Sequence, residues 1–209
     1  MTFPALKVTY FDMAGRAETV RLALTIGGVP FEDQRLQREQ WAALKPSLPF
    51  RQLPALTVDG HVLCQSHAIA RYAGSLAGLY PTENRLDACR VDEITDFCED
   101  FMQKATPSFR EADPAKKKAM RVELASTTFP EMFALLEARV ASSGSKGPWF
   151  LDAISIADLD VYCMVSMMKS GFMDDIPTTI CDHYTKIMTI YNAVAAHPKV
   201  AAWNEAHKK

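Results

Sequence analysis

The chain has 209 residues, 48% of them hydrophobic, and a formal net charge of −2. This size and composition suit one large domain or two small ones with a buried core, and they argue against a nucleic-acid partner or a membrane span. Five dispersed cysteines without a CxxC pair, and an N-terminus without a basic segment followed by an apolar one, predict free thiols, no metal site and a cytoplasmic location.

The first third of the chain alternates strand and helix patterns. We predict, in chain order, a strand over 6–11, a helix over 16–26, a strand over 31–36, a short helix over 39–44, two paired strands over 55–58 and 61–64, and a helix from residue 66. The β-α-β start implies parallel pairing through a right-handed crossover. Asp59-Gly60 is a strong two-residue hairpin signal, which adds an antiparallel pair.

Beyond the segment Gly78–Thr82 no strand pattern remains, so this segment is the expected domain boundary. The helical patterns after it cover 87–109, 116–140 with an interruption at Pro130, 156–168, 180–194 and 199–206. Ser155 and Asp158 have the spacing of a capping box, which is a structural role without chemistry. The sequence therefore predicts an α/β domain over residues 1–79 and an all-helical domain over residues 86–209.

The segment from Leu53 to Ser66 is typical of a site that holds a peptide by its backbone. Pro54 stands at the start of a strand, where it suits an edge or a tight turn, including a cis one, because it cannot donate to the ladder. Leu53 can then offer its own N–H and C=O to an extended ligand. Ser66 suits the N-cap of the following helix, whose first N–H groups favour an anion. Together these features indicate a receptor for a small charged peptide.

Three motifs carry a resemblance to a known family: Leu48-Pro49-Phe50, the run from Gln65 to Tyr72, and Glu99-Asp100-Phe101-Met102. With them, nearly the whole chain resembles the cytosolic glutathione S-transferases, most of all the sigma class, which includes glutathione-dependent prostaglandin D synthases. The resemblance implies a thioredoxin-like N-terminal domain that binds glutathione, an all-α C-terminal domain with the electrophile pocket, and a homodimer.

Tyr10, at the end of the first strand, is the expected catalytic residue. The resemblance places the family's catalytic tyrosine here, and the chemistry has a separate physical basis. A thiol with a pKa of about 8.5 is mostly protonated at neutral pH, although the thiolate is the nucleophile. A neutral phenol that donates a hydrogen bond to the sulfur anion lowers that pKa. Arg16 is expected to support the same charge; a solvent-facing arginine is the equally weighted alternative.

The resemblance also implies the residues that hold glutathione. Besides Tyr10 they are Trp41 and Lys45 at its glycine end, Gln52 and Leu53 along its backbone, the cis-proline Pro54, Gln65 and Ser66 at the γ-glutamyl group, and Asp100, which the family contributes across the dimer interface. Trp41 and Lys45 are four residues apart, so both can project to one side of a helix. The same spacing would occur on an ordinary exposed helix, and Asp100 stands on a helix rich in other acids.

The remaining expectations concern the second substrate and the dimer. Phe11, Met13, Met102 and Thr106 are the expected walls of the electrophile pocket. Phe50 is expected to insert into the partner subunit, because a large aromatic in a polar loop should not stay bare in water; packing against its own domain is the alternative.

The predicted function is a cytosolic, homodimeric transferase that adds glutathione to small apolar electrophiles. One alternative is a prostaglandin isomerase or a peroxidase of the same class, and another is a non-catalytic ligand carrier or crystallin-like protein. The run 104–108 has no tryptophan where the sigma-class prostaglandin synthases carry one, which favours the transferase. A thioredoxin-type oxidoreductase is excluded because the run 10–13 contains no thiol.

Overall fold

The computed structural model of the protein describes residues 2–208. The chain divides into two compact units. The first comprises the chain through Ala88 together with the segment from His197 onward, and the second comprises Cys89–Ala196. The α/β and all-α fold classes predicted from the sequence are confirmed.

The first unit is built on a four-stranded sheet in the order β2-β1-β3-β4. The strands are β1 (Leu6–Phe11), β2 (Glu32–Leu36), β3 (Ala55–Val58) and β4 (His61–Cys64). β1 runs parallel to β2 and antiparallel to β3, and the β3–β4 hairpin turns at Asp59-Gly60, both with positive φ. The predicted parallel and antiparallel pairs are therefore both present. β1 is paired on both sides and mostly buried, whereas the edge strand β2 is polar, as expected of a strand that borders solvent.

Within the described residues, four α-helices complete the first unit and a fifth begins there: α1 (Glu18–Gly27), α2 (Arg38–Leu44), α3 (Ser66–Ala77), α9 (Pro198–Ala206) and the start of α4 (Arg85–Arg110). α1 packs against α3, and a Cβ on Gly27 would lie 2.5 Å from the Cβ of Ala77, so only glycine permits this approach. α9 packs against α1. Lys199 Nζ donates to the carbonyl of Ile26 at 2.8 Å, which ties the start of α9 to the end of α1.

The second unit is all-helical in the described chain. Besides most of α4 it contains α5 (Pro114–Glu123), α6 (Phe129–Ala141), α7 (Ile156–Lys169) and α8 (Thr185–Ala196). Its core includes three buried rings: Phe101 stacks on Phe129 with centroids 4.1 Å apart, and Phe133 lies 5.1 Å from Phe101.

A π-helical turn over Leu124–Thr128 joins α5 to α6. Pro130, near the start of α6, cannot donate to the carbonyl four residues earlier, and its ring crowds that carbonyl. The widened turn lets the N–H of Phe129 reach the carbonyl of Leu124 instead. The predicted interruption at Pro130 is thus a change of helix type, with no loop between the two helices.

The predicted capping box at the start of α7 is confirmed. The main-chain N–H of Ser155 donates to Asp158 Oδ2 at 2.8 Å, and the N–H of Phe150 donates to Oδ1 at 2.7 Å. The Asp158 carboxyl is fully buried. Burial raises its pKa to about 6, although the hydrogen bonds from Phe150 and Ser155 oppose this shift.

Candidate active site

Three chain segments assigned above to glutathione binding meet at one end of the sheet. β1 pairs with β3 through Thr9 opposite Ala55, and β3 pairs with β4 through Ala55 opposite Cys64. The next residue along each strand in that direction lies at the same end of the sheet: Tyr10, Pro54 and Gln65. Residues that are far apart in sequence are therefore brought together by strand register alone.

The Tyr10 side chain is nearly buried, and its hydroxyl oxygen accepts a hydrogen bond from the main-chain N–H of Arg16 at 3.3 Å. This bond uses a lone pair of the phenol, so the O–H itself can donate. Gly15 makes the arrangement possible. Its φ is +50°, and a Cβ there would lie 2.8 Å from the Tyr10 hydroxyl oxygen. The sequence analysis missed Gly15; a glycine between a strand and a helix start was the available signal.

The aromatic side chains beside Tyr10 form a continuous row. The Phe11 ring lies 5.4 Å from Tyr10 and 6.0 Å from the Trp41 ring, both in edge-on geometry. Lys45 Nζ stands 5.9 Å from the centroid of the Trp41 ring, so Trp41 and Lys45 do project to one side, as their spacing predicted. Lys45 opens a 3₁₀ turn that follows α2.

The segment from Leu53 to Ser66 contains the cis proline that the sequence allowed at its start. The Leu53–Pro54 peptide bond is cis. Gln52 is exposed, while Leu53 packs against a small buried cluster that includes Leu48 and Cys64. Burial raises the pKa of the Cys64 thiol, and a hydrogen bond from the main chain of Phe50 opposes this rise. Cys64 is one of the buried residues of this cluster.

Gln65 occupies the N-cap position of α3 with a φ of +74° and a ψ of +111°. Residues other than glycine seldom adopt this backbone conformation, and it persists only where the surrounding structure imposes it. Ser66 is the first helical residue, so the expectation that it is the N-cap is wrong by one position. Both residues still lie where main-chain N–H groups of the first turn are available to an anion.

The remaining predicted site residues differ in burial, and each is described within its own unit. Phe11 is half-buried, whereas Met13 is 42% exposed and Phe50 is 59% exposed. Asp100, Met102 and Thr106 belong to the second unit: Asp100 is exposed on α4, and the Thr106 hydroxyl donates to the carbonyl of Met102 at 2.7 Å. The roles of these residues remain predictions.

A buried arginine that contacts the segment between β1 and α1 was also missed. Arg21 lies among apolar residues of α1 and is fully buried. Its Nη1 donates to the carbonyl of Met13 at 2.7 Å and to Glu18 at 3.2 Å, and its Nε donates to Asp33 at 2.9 Å. An arginine inside an apolar stripe, three residues after a glutamate, was the signal that could have revealed it.

The ion pairs that Arg21 makes with Glu18 and Asp33 continue from Asp33 toward solvent. Arg35 donates to Asp33 at 2.8 Å and to Asp12 at 3.1 Å. Partial burial would lower the pKa of Arg35, but the two carboxylates outweigh this and raise it. Across residues 2–208, no group of three or more metal-ligating side chains is suited to hold an ion, and no helix is long and apolar enough to span a membrane.

Comparison with known proteins identifies two family domains in the chain. Residues 6–75 match the family described as the N-terminal domain of glutathione S-transferase, and residues 99–207 match its C-terminal domain. The chain is 45% identical over 149 residues to glutathione S-transferase 1 of Ascaris suum, an alignment that covers 68% of this chain and 70% of that protein.

Two further relatives cover almost the full length. Hematopoietic prostaglandin D synthase of Gallus gallus is 32% identical over 212 residues, with 99% of this chain and 98% of that protein aligned. The crystal structure of the glutathione S-transferase from Ascaris lumbricoides superposes with a TM-score of 0.84 at 35% identity, and covers 99% of this chain and 98% of that one. With both of the family's domains in sequence and the same fold in space, the chain belongs to the glutathione S-transferases.

Proposed function

We propose that this glutathione transferase activates its substrate at Tyr10. The main support is the position of the Tyr10 hydroxyl, which accepts a hydrogen bond from the main-chain N–H of Arg16 at 3.3 Å and keeps its own proton for donation. Glutathione bound with its sulfur beside this hydroxyl is stabilised as the thiolate, and Arg16 supports the negative charge. Such a charge-assisted bond is worth roughly 1.5–3 kcal/mol, enough to lower a thiol pKa by about 1–2 units.

The rest of glutathione follows the converging segments. Its backbone pairs with Leu53 beside the cis-proline Pro54, a role supported by their position between β1 and β4. Trp41 and Lys45 hold the glycine carboxylate, and Gln52, Gln65 and Ser66 hold the γ-glutamyl end. The thiolate then attacks a small apolar electrophile, for which Phe11, Met13, Met102 and Thr106 provide apolar contacts.

We further propose a cytoplasmic homodimer in which Asp100 of one subunit contacts the amino group of glutathione on the other. The support is Phe50, whose ring is 59% exposed in the single chain and so is available to a partner subunit. The scattered free cysteines suit a reducing compartment.

The test is Tyr10→Phe, followed by ultraviolet titration of glutathione bound to the enzyme. Glutathione should still bind, because the hydroxyl acts only on the thiolate, but the thiol pKa should rise by about 1–2 units. Turnover at neutral pH should fall with the thiolate fraction. An unchanged titration midpoint would remove Tyr10 from the chemistry.

Prostaglandin isomerisation is the second candidate. The hematopoietic prostaglandin D synthase of Gallus gallus, similar over the whole chain, is the observation that favours it. A panel of electrophiles and prostaglandin endoperoxides separates the two. Conjugation consumes glutathione in step with product, whereas isomerisation leaves its concentration unchanged.

A further inference from the structure

Arg21 holds the chain segment that joins Tyr10 to Arg16 by hydrogen bonds to its main chain. Its guanidinium donates to three carbonyls of that segment: to Phe11 at 3.4 Å, to Met13 at 2.7 Å and to Ala14 at 3.3 Å. A planar guanidinium with several fixed donors can hold such a bend in one shape, which a single ammonium group cannot do.

The guanidinium is itself fixed by two carboxylates. Glu18 and Asp33 accept from it, and without them a fully buried cation would be strongly destabilising. Glu18 is held in turn from α9, because Trp203 Nε1 donates to Glu18 Oε1 at 2.7 Å. A chain of hydrogen bonds therefore runs from Trp203 through Glu18 and Arg21 to the main chain beside Tyr10.

The geometry leaves the Tyr10 hydroxyl little freedom once this segment is fixed. The hydroxyl is bonded to the main-chain N–H of Arg16, and Gly15 lies so close that a single added carbon would clash with it. The Arg21 guanidinium carbon lies 5.8 Å from the centroid of the Tyr10 ring. A shift of the segment must therefore move the phenol.

We propose that Arg21, oriented by Glu18 and Trp203, is the positioning residue that aims the Tyr10 hydroxyl at the glutathione sulfur, so that helix α9 takes part in thiolate activation. This inference deepens the proposed function and rests on the role given there to Tyr10. Misplacement of a catalytic group by about 1 Å can cost on the order of a hundredfold in rate, so partial loosening should be measurable.

The first variant is Trp203→Phe, which keeps an aromatic ring and removes only the N–H donor. We expect the pKa of the thiol of enzyme-bound glutathione to rise by about 0.5–1 unit. At pH values below that pKa, the thiolate fraction then falls about threefold to tenfold. The loss in kcat should shrink as the pH rises above the thiol pKa, a pattern that a general loss of folded protein would not produce.

Lys199→Met is the matched control. Lys199 also anchors α9 to α1, through the carbonyl of Ile26, but it makes no bond to Glu18. This variant should lower stability without moving the thiol pKa. Arg21→Lys keeps the charge and should reproduce the effect of Trp203→Phe or exceed it.

The Tyr10→Phe background separates the possible failures. If Arg21 acts through Tyr10, Trp203→Phe should cause no further rise in thiol pKa when Tyr10 is already phenylalanine. An equal rise in both backgrounds overturns the positioning role. If Tyr10→Phe shifts the thiol pKa while Trp203→Phe and Arg21→Lys do not, only the positioning role is wrong. If Tyr10→Phe itself has no effect, the proposed function fails as well.

Discussion

Single residues show where side-chain chemistry and backbone geometry conflict. Gln65 adopts a φ of +74° at the start of α3, and Asp158 has a fully buried carboxyl whose pKa is about 6. The first belongs to the candidate site, where backbone strain is commonly retained for function. The second belongs to the capping box, where two main-chain N–H groups offset the burial of a carboxylate only in part.

Gln65→Gly and Gln65→Ala form a matched pair for the strained position. Both variants remove the side chain proposed to contact the γ-glutamyl group, so both should raise the KM for glutathione. Glycine accepts positive φ without steric cost, so Gln65→Gly should exceed Gln65→Ala in free energy of unfolding by about 1 kcal/mol, the reverse of the usual order. Urea unfolding and glutathione kinetics test the two parts. Equal KM values in parent and variants would remove Gln65 from the site.

Asp158 should give the stability of the protein a distinct pH dependence. Its folded pKa of about 6 lies above the ordinary value of 3.8, so the folded state keeps its proton while the unfolded state has lost it. The contribution of this group is therefore fully present below pH 3.8 and is lost as the pH rises through 6. The total loss is on the order of 3 kcal/mol.

Asp158→Asn isolates that effect, because all other titrating groups are shared with the parent. The free energy of unfolding of the parent, relative to that of the variant, should fall from pH 4 to pH 6 and stay constant above it. Urea unfolding at four pH values measures this. Parallel pH profiles for the two proteins would show that Asp158 titrates at its ordinary pKa.

Whole elements were predictable wherever the information is local. The strand pattern over 6–11, the Asp59-Gly60 turn and the Ser155–Asp158 spacing each specified a structure that is present. The helix predicted over 180–194 is wrong at its start, since α8 begins at Thr185. The reason is a tertiary contact: the Glu137 carboxylate, on α6, accepts from the main-chain N–H groups of Lys186 and Ile187.

Glu137→Ala should destabilise the protein by about 1–2 kcal/mol, because it removes a charged cap from the N-terminus of α8. Glu123→Ala is the matched control. That glutamate is exposed at the end of α5, where a negative charge gains nothing from the helix dipole. Urea unfolding compares the two. Equal losses of stability would contradict a capping role for Glu137.

The residues of the candidate site also divide into those that local patterns identify and those that depend on tertiary contacts. Tyr10, Pro54 and Gln65 could be identified from local patterns and from the resemblance to the family, and strand register brings them together. Gly15 and Arg21 carried only general signals: a glycine before a helix start and an arginine in an apolar stripe. Their importance depends on tertiary distances, 2.8 Å from a Cβ at Gly15 to the Tyr10 hydroxyl and 2.7 Å from Arg21 to the carbonyl of Met13.

At the scale of the whole molecule, the proposed dimer depends on an exposed ring. Phe50→Ala should weaken self-association by about 2 kcal/mol or more, since truncation of a buried interface aromatic commonly costs that much. Activity should fall at low protein concentration, because Asp100 of the partner completes each site in the proposal. Sedimentation over a dilution series measures the dissociation constant.

Phe172→Ala serves as the control for that experiment. Its ring is 57% exposed, similar to that of Phe50, but it follows α7 and is not among the residues proposed to contact the partner. It should leave the dissociation constant unchanged. A Phe50 variant that stays as tightly dimeric as the Phe172 variant would show that Phe50 makes no intersubunit contact.

The return of α9 to the first unit has a consequence for biosynthesis. The sheet and α1–α3 leave the ribosome early, but the indole that bonds Glu18 arrives only after the whole second unit has been made. Until then Glu18, which pairs with the buried guanidinium of Arg21, lacks the hydrogen bond from Trp203 that holds it. The nascent first unit should therefore remain an opened, protease-sensitive intermediate, and the segment after Tyr10 that Arg21 holds should be the last part of this unit to become ordered.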